Sequence, residues 1–250
     1  MPTAFVTILL AISAAQVPAT PPPVAAPARW PEETMEFTIG YLGLTAGRAR
    51  IVVGRREGSL LPVFLEARTS GAGAIVDFRQ QLATYLDVAT GLPRRATMLS
   101  IEPRYRRTVT TQFDRDAGRA TVRTRGRSER KQEVAFPRGA LDFVALVFQL
   151  RARPLPPGAS YAFDVLSGAR LAKVVAVVQG RERLATAVGV LPAVKVRVPT
   201  DFSGRFSEKS PTYVWFSDDA RRLILRIQTE FAIGEAVAEL VSYDRAREPG

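Results

Sequence analysis

The residues best placed to do chemistry in this 250-residue chain are arginines. Between Arg104 and Lys131 stand Arg104, Arg106, Arg107, Arg115, Arg119, Arg123, Arg125, Arg127, Arg130 and Lys131, opposed only by Asp114, Asp116 and Glu129. This stretch holds most of the formal net charge of +11. Arg119, Arg123, Arg125 and Arg127 share one parity, so a strand would point them to one face and Ala120, Val122 and Thr124 to the other. Asp114-Arg115-Asp116-Ala117-Gly118 reads as a hairpin turn. On the partner strand Arg104 and Arg106 are in phase with Thr108, Thr110 and Gln112. A ribbon of guanidinium groups attracts phosphates and other anions, because Arg bonds them in bidentate fashion. The same pattern also serves as a solvated sheet face or as an edge guarded by charge. Nucleic acid is not the expected partner, since few aromatics interleave the basic residues.

Other chemistry is narrowed by what the chain lacks. It has no His and no Cys. That removes disulfides, Cys or His zinc sites, thiol nucleophiles and any imidazole base. No metal and no cofactor is expected. Acid–base work would fall to carboxylates, Tyr, Lys or water. The adjacent pair Asp218-Asp219, after Trp215 and before Arg221-Arg222, is the one candidate for a tuned acid pair. Neighbouring carboxylates in a tight turn point apart, however, whereas a glycosidase needs two facing one gap. Ser217-Asp218-Asp219-Ala220 therefore reads as a turn. Gly40, Gly43 and Gly47 precede a strand rather than a helix, which favours a bulged hairpin corner over a phosphate-cradling loop.

The elements that must position these residues are mostly strands. Phe37, Ile39 and Tyr41 alternate with polar neighbours, and β-type runs recur at 48–53, 63–69, 81–88, 94–101, 106–113 and 119–127. Further runs follow at 160–165, 173–178, 183–186, 193–198, 212–217, 223–231 and 236–243. Short spacings and Gly, Pro and Asp turns demand antiparallel pairing. One segment, 139–151, reads as a helix, with Asp142 in its first turn, Arg151 in its last and Pro154, Pro156 and Pro157 forbidding continuation. Being apolar nearly all round, it should be buried. The fold class is thus mainly β: a strongly curved antiparallel sheet, as a half-barrel or two packed β lobes, around one buried central helix. Tyr85–Arg95 and Tyr213–Leu223 share a strand–turn–basic grammar, which fits either two pseudo-repeated lobes, 33–136 and 155–245, or merely two hairpins of like form, within one domain spanning 33–247.

Ahead of that domain, the apolar run Ala4–Ile12 followed by Ser13-Ala14-Ala15 has the form of a signal peptide, 1–15, cleaved before Gln16. Residues 16–32 hold Pro18, Pro21, Pro22, Pro23, Pro27 and Pro31, a semi-rigid extended linker. The expected location is the periplasm, with no transmembrane segment in the mature chain.

Three stretches carry a resemblance. Met35–Ile51 (MEFTIGYLGLTAGRARI), Leu141–Arg151 (LDFVALVFQLR) with Leu155-Pro156-Pro157-Gly158, and Tyr213–Leu223 (YVWFSDDARRL) resemble, in that order, the exported bacterial family called domain of unknown function 3108. The family's last landmark commonly has Leu where Phe216 stands and Pro where Ile224 stands. The resemblance implies export, a β-rich body and association with the cell envelope; it implies no catalytic residues. Tyr85–Pro93 is also similar to a hairpin of periplasmic lipoprotein carriers, which implies a half-barrel with an apolar cavity.

The expected function is that of a non-catalytic envelope protein binding an apolar, lipid-like ligand or an anionic envelope component. Its expected partners are lipid, lipopolysaccharide or an envelope protein, with peripheral membrane association through Arg104, Arg106, Arg119, Arg123, Arg125 and Arg127. The alternatives are a carboxylate-dependent hydrolase of cell-wall glycans and a structural scaffold without ligand.

Overall fold

The computed structural model describes residues 30–71, 78–199, 211–230 and 234–246. The expected signal peptide, and the linker as far as residue 29, lie outside them. Among the described residues, fourteen strands form one sheet in the order β8-β7-β6-β5-β4-β3-β2-β1-β14-β13-β12-β11-β10-β9. The first wing is the meander β1 (Glu33–Tyr41), β2 (Leu44–Val53), β3 (Leu60–Thr69), β4 (Arg79–Asp87), β5 (Pro93–Glu102), β6 (Tyr105–Asp114), β7 (Arg119–Arg125) and β8 (Glu129–Ala135). The second is β9 (Ser160–Ser167), β10 (Arg170–Thr186), β11 (Gly189–Val198), β12 (Thr212–Ser217), β13 (Ile224–Glu230) and β14 (Glu235–Arg245). All neighbours are antiparallel, and the wings join where β1 pairs with β14. The expected mainly β, antiparallel class holds, as one continuous sheet that does not close into a barrel.

Between the wings runs the helix α1 (Phe143–Arg151). It begins four residues later than the sequence pattern indicates, because Leu141 is first used as strand. The Leu141 amide donates to the Asp164 carbonyl and its own carbonyl accepts from Leu166 N, both at 2.8 Å. Leu141 thereby covers the outer edge of β9, which would otherwise present unpaired backbone groups. Asp142 then caps the helix, accepting from Ala145 N at 2.7 Å. Every residue from Val144 to Arg151 is buried.

The curvature follows from what this short helix touches. It packs on both β4 and β9, which stand nine positions apart in the sheet. Laid flat, nine strand spacings would cover about 43 Å, whereas nine helical residues extend only about 13 Å. The sheet therefore wraps round α1, and its concave face holds the main core, including Met35, Phe37, Val63, Leu146, Leu150, Val194 and Leu225. A second cluster joins Phe113, Ala120 and Phe136 to Leu166 and Leu171. Leu166 lies on the opposite face of β9 from Phe163 and Val165, which belong to the main core. The inner face of β6–β8 thus laps over the outside of β9–β10, joining the ends by side chains instead of ladder bonds.

Strand direction alternates, so the turns fall on two rims. On the lower rim, where α1 enters, lie the β4–β5 and β12–β13 turns, the two segments that the sequence pattern pairs as a repeat. Both hold the helix. Gln149 donates to the Thr90 carbonyl at 3.2 Å, and Arg151 donates to the carbonyls of Arg222 and Arg221 at 2.8 and 3.2 Å. The upper rim carries the β1–β2, β5–β6 and β9–β10 turns. Among the described residues, no helix is long and apolar enough to cross a membrane.

Candidate functional site

The strand β7 alternates as its sequence requires: Ala120 and Val122 are buried, and Arg119, Arg123 and Arg125 are exposed. Its register with β6 sets Arg119 opposite Asp114, Thr121 opposite Gln112, Arg123 opposite Thr110 and Arg125 opposite Thr108. On its other side Arg123 faces Lys131 and Arg125 faces Glu129. The convex face of β6–β8 therefore holds a shallow groove of about 340 Å³ lined by Thr108, Thr110, Gln112, Thr121, Arg123 and Arg125.

Within this face the arginines are not equivalent. Arg119 lies 3.5 Å from Glu133, and Arg125 lies 3.4 Å from Glu129. These exposed pairs are weak, worth about 0–1 kcal/mol each, but they offset charge. Arg123 and Lys131 have no carboxylate partner among the described residues, and they stand directly opposite each other across neighbouring strands. Like charges so placed repel. Arg106 shares the convex face, while Arg104 sits in the β5–β6 turn and Arg127 in the bend that ends β7. The structure thus gathers Arg106, Arg119, Arg123 and Arg125 on one face and leaves Arg104 and Arg127 at the upper rim. Arg127 departs from the expected parity because β7 stops at Arg125, before Gly126. Arg115, counted in the same basic stretch, has a structural task. It donates to the carbonyls of Arg138, Pro93 and Ala140 and lies over the Phe113 and Phe136 rings. Burial, helped by nearby Arg94, pushes its guanidinium down to about 10.

Two placements on this surface were not visible in the sequence. Lys131 belongs to β8, whose residues are nearly all polar, so no alternation marks the strand. A second row forms where Arg48, Arg68 and Arg79 become direct cross-strand neighbours. These residues come from separate strands, and only the register brings them together.

The carboxylates are committed elsewhere. Glu33, Asp87 and Asp142 are the buried acids among the described residues. Glu33 meets Arg151 at 2.8 Å. Burial opposes the Asp87 charge, but bonds from Arg94 and Thr90 prevail and hold its carboxyl below the usual range. Burial pushes the Asp142 carboxyl up, against the Ala145 amide and the Thr84 hydroxyl. Asp218 is held low by Arg181 and Arg222. Asp219 is bonded by Arg221 and Ser217, which outweigh its partial burial and lower it too. The expected turn at Asp218-Asp219 is what the structure contains: the two carboxylates take different arginines. Among the described residues, no three acids cluster as a metal would require.

The family profile of proteins of unknown function DUF3108 matches residues 36–241, which run from β1 to β14. The chain belongs to the DUF3108 family. Both α1 and the β6–β8 face lie inside the family's span. The fold is also similar to a β-barrel-like protein of domain of unknown function DUF1849 from Brucella abortus, with a TM-score of 0.59 at 11% identity, covering 88% of this chain and 100% of that one. A Bacteroides fragilis protein with a YmcC-like fold aligns over 88% of this chain and 100% of its own, at 10% identity and a TM-score of 0.35. No curated protein matches the sequence.

Proposed function

We propose that this DUF3108 protein is an exported, non-catalytic component of the bacterial envelope that binds an anionic envelope component on the convex face of β6–β8. The observation that carries this reading is the unpaired Arg123–Lys131 pair, set beside a groove with hydroxyls and an amide from Thr108, Thr110, Thr121 and Gln112. Two facing cations raise each other's cost in the free protein, and an anion between them relieves it. The commitment of each buried carboxylate to a structural partner speaks against a hydrolase. Export and periplasmic location belong to this proposal and rest on the N-terminal sequence pattern.

The test is co-sedimentation with vesicles containing phosphatidylglycerol or lipopolysaccharide. Near such a surface each Arg contributes about 1 kcal/mol, screened beyond about 8 Å at physiological ionic strength. Arg119→Gln/Arg123→Gln/Arg125→Gln should weaken binding steeply at low salt while leaving the thermal transition in place. Equal binding by variant and wild type would reduce the ribbon to a solvated sheet face.

A second reading, an apolar ligand on the concave side, draws on Ile39, Ala49, Leu65 and Leu82. These line the inner wall towards the upper rim and are only partly buried. Native mass spectrometry of protein purified from its own envelope would detect a retained lipid; a lipid-free spectrum would exclude this reading.

A further inference from the structure

The upper rim combines two features that the folded chain does not itself require. On the convex face Arg48, Arg68 and Arg79 follow one another directly across β2, β3 and β4. Ile101 and then Arg106 continue the row on β5 and β6. All four arginines are exposed. Arg79 pairs with Glu66 at 2.8 Å, whereas Arg48, Arg68 and Arg106 have no carboxylate partner among the described residues. Adjacent like charges repel, so folding gains nothing from this alignment. Arg48, Arg50 and Arg68 also line a groove of about 630 Å³ beside Thr38 and Val241.

Beyond this row the β1–β2 hairpin turns at Leu42-Gly43. Leu42 and Leu44 are 60% and 61% exposed, the most open large hydrophobics among the described residues. Leu42 sits at φ 50°, a left-handed conformation that leucine rarely adopts. Leu42 therefore carries a backbone cost while standing mostly in water, and neither leucine belongs to the core. Leu44 is four residues, about 13 Å of strand, beyond Arg48. Tyr105, 37% exposed, stands on the same rim in the β5–β6 hairpin. An apolar tip, an aromatic further along the same rim and a belt of arginines behind them match the layers of a bilayer surface: acyl chains, interface and phosphates.

We propose that the protein docks by its upper rim on an anionic phospholipid bilayer, inserting Leu42 and Leu44 while Arg48, Arg68, Arg79 and Arg106 contact the headgroups. This rests on the reading above that the protein binds an anionic surface, and it specifies the surface and the orientation. Because the chain has no cysteine, Leu44→Cys in the full chain carries a single environment-sensitive fluorophore. Val190→Cys, on the lower rim and 55% exposed, carries the control. With vesicles of phosphatidylglycerol and phosphatidylcholine, the label at 44 should brighten and be quenched by nitroxide-bearing acyl chains, and the label at 190 should do neither. Leu42→Ser/Leu44→Ser should lower vesicle partitioning about tenfold or more, and Arg48→Gln/Arg68→Gln should do so at low salt. Vesicle binding with the label at 44 still in water would overturn the insertion and leave charge-based binding by β6–β8 standing. No vesicle binding at all would overturn both. A label at 44 that brightens with protein concentration alone would make the tip a contact between copies of the chain, which also overturns it.

Discussion

Arg151, at the last turn of α1, lies 2.8 Å from Glu33, the first residue of β1, with their side chains 0% and 2% exposed. The Glu33 carboxylate opposes the burial that lowers the Arg151 guanidinium. The guanidinium is also roofed by Trp30, 4.2 Å from its ring centre, and bonded to two carbonyls of the β12–β13 turn. One side chain thus fixes the helix to both wings. Removing one member of a buried pair strands the other, at about 3–5 kcal/mol. Arg151→Met should lower the urea-unfolding free energy by that order, and Glu33→Leu/Arg151→Met should recover part of it. A single variant within about 0.5 kcal/mol of wild type, the range of an ordinary surface substitution, would show that the pair does not anchor the helix.

Asp142 gives a pH signature. Burial raises its folded-state value above the ordinary carboxylate range, so the folded protein binds this proton more readily than the unfolded chain does. The stabilisation from that proton is complete below the unfolded value and is lost as pH rises through the folded one. Asp142→Asn keeps an oxygen for Ala145 N and does not titrate. The variant's melting temperature relative to wild type should therefore rise as the pH climbs above the unfolded Asp value of about 3.9. A constant difference as the pH climbs would mean that burial does not penalise the charge.

The convex ribbon predicts an order among its members. Arg119 and Arg125 share their charge with Glu133 and Glu129, and Arg123 shares with none. Arg123→Gln alone should weaken binding to anionic vesicles more than Arg119→Gln or Arg125→Gln. Equal losses in parallel sedimentation titrations would show that the local pairing is irrelevant to binding.

Gly47 is buried on β2, and a Cβ there would meet the Arg68 carbonyl oxygen at 2.5 Å. Backbone cannot yield as a flexible side chain does. Gly47→Ala should force β2 from β3 and destabilise the protein by about 1–3 kcal/mol, read as an earlier chemical-denaturation midpoint. An unchanged midpoint would show that the two strands separate freely at this point.

Strand alternation made most of the sheet legible, since a half-buried strand writes its inner and outer faces into successive residues. It failed at β8, where Glu129–Glu133 are all exposed and only Val134 and the following Phe136 reach the second cluster. Lys131 counted in the basic stretch, but without the strand its place opposite Arg123 was not readable. The run 173–178 and the run 183–186 proved to be one strand, β10, which continues through a register shift between Val178 and Gly180. The ribbon on β6 and β7 was readable because a single hairpin carries it. The Arg48–Arg68–Arg79 row was not, because cross-strand register is a tertiary property. No period in the sequence announces it.

The pairing of β1 with β14 has a consequence for how the chain assembles. The strands nearest the two ends of the described sequence form the middle of the sheet, and strands from its midpoint, β8 and β9, form the margins. The meander β1–β8 needs only neighbouring hairpins, which close early because their loops are short. Until residues 235–245 arrive, however, β1 keeps one side unpaired and Glu33 lacks its place between α1 and β14. Strand β14, the last of the described sequence, therefore completes the centre, and a chain truncated before it would expose a long, unsatisfied strand edge of the kind that seeds aggregation.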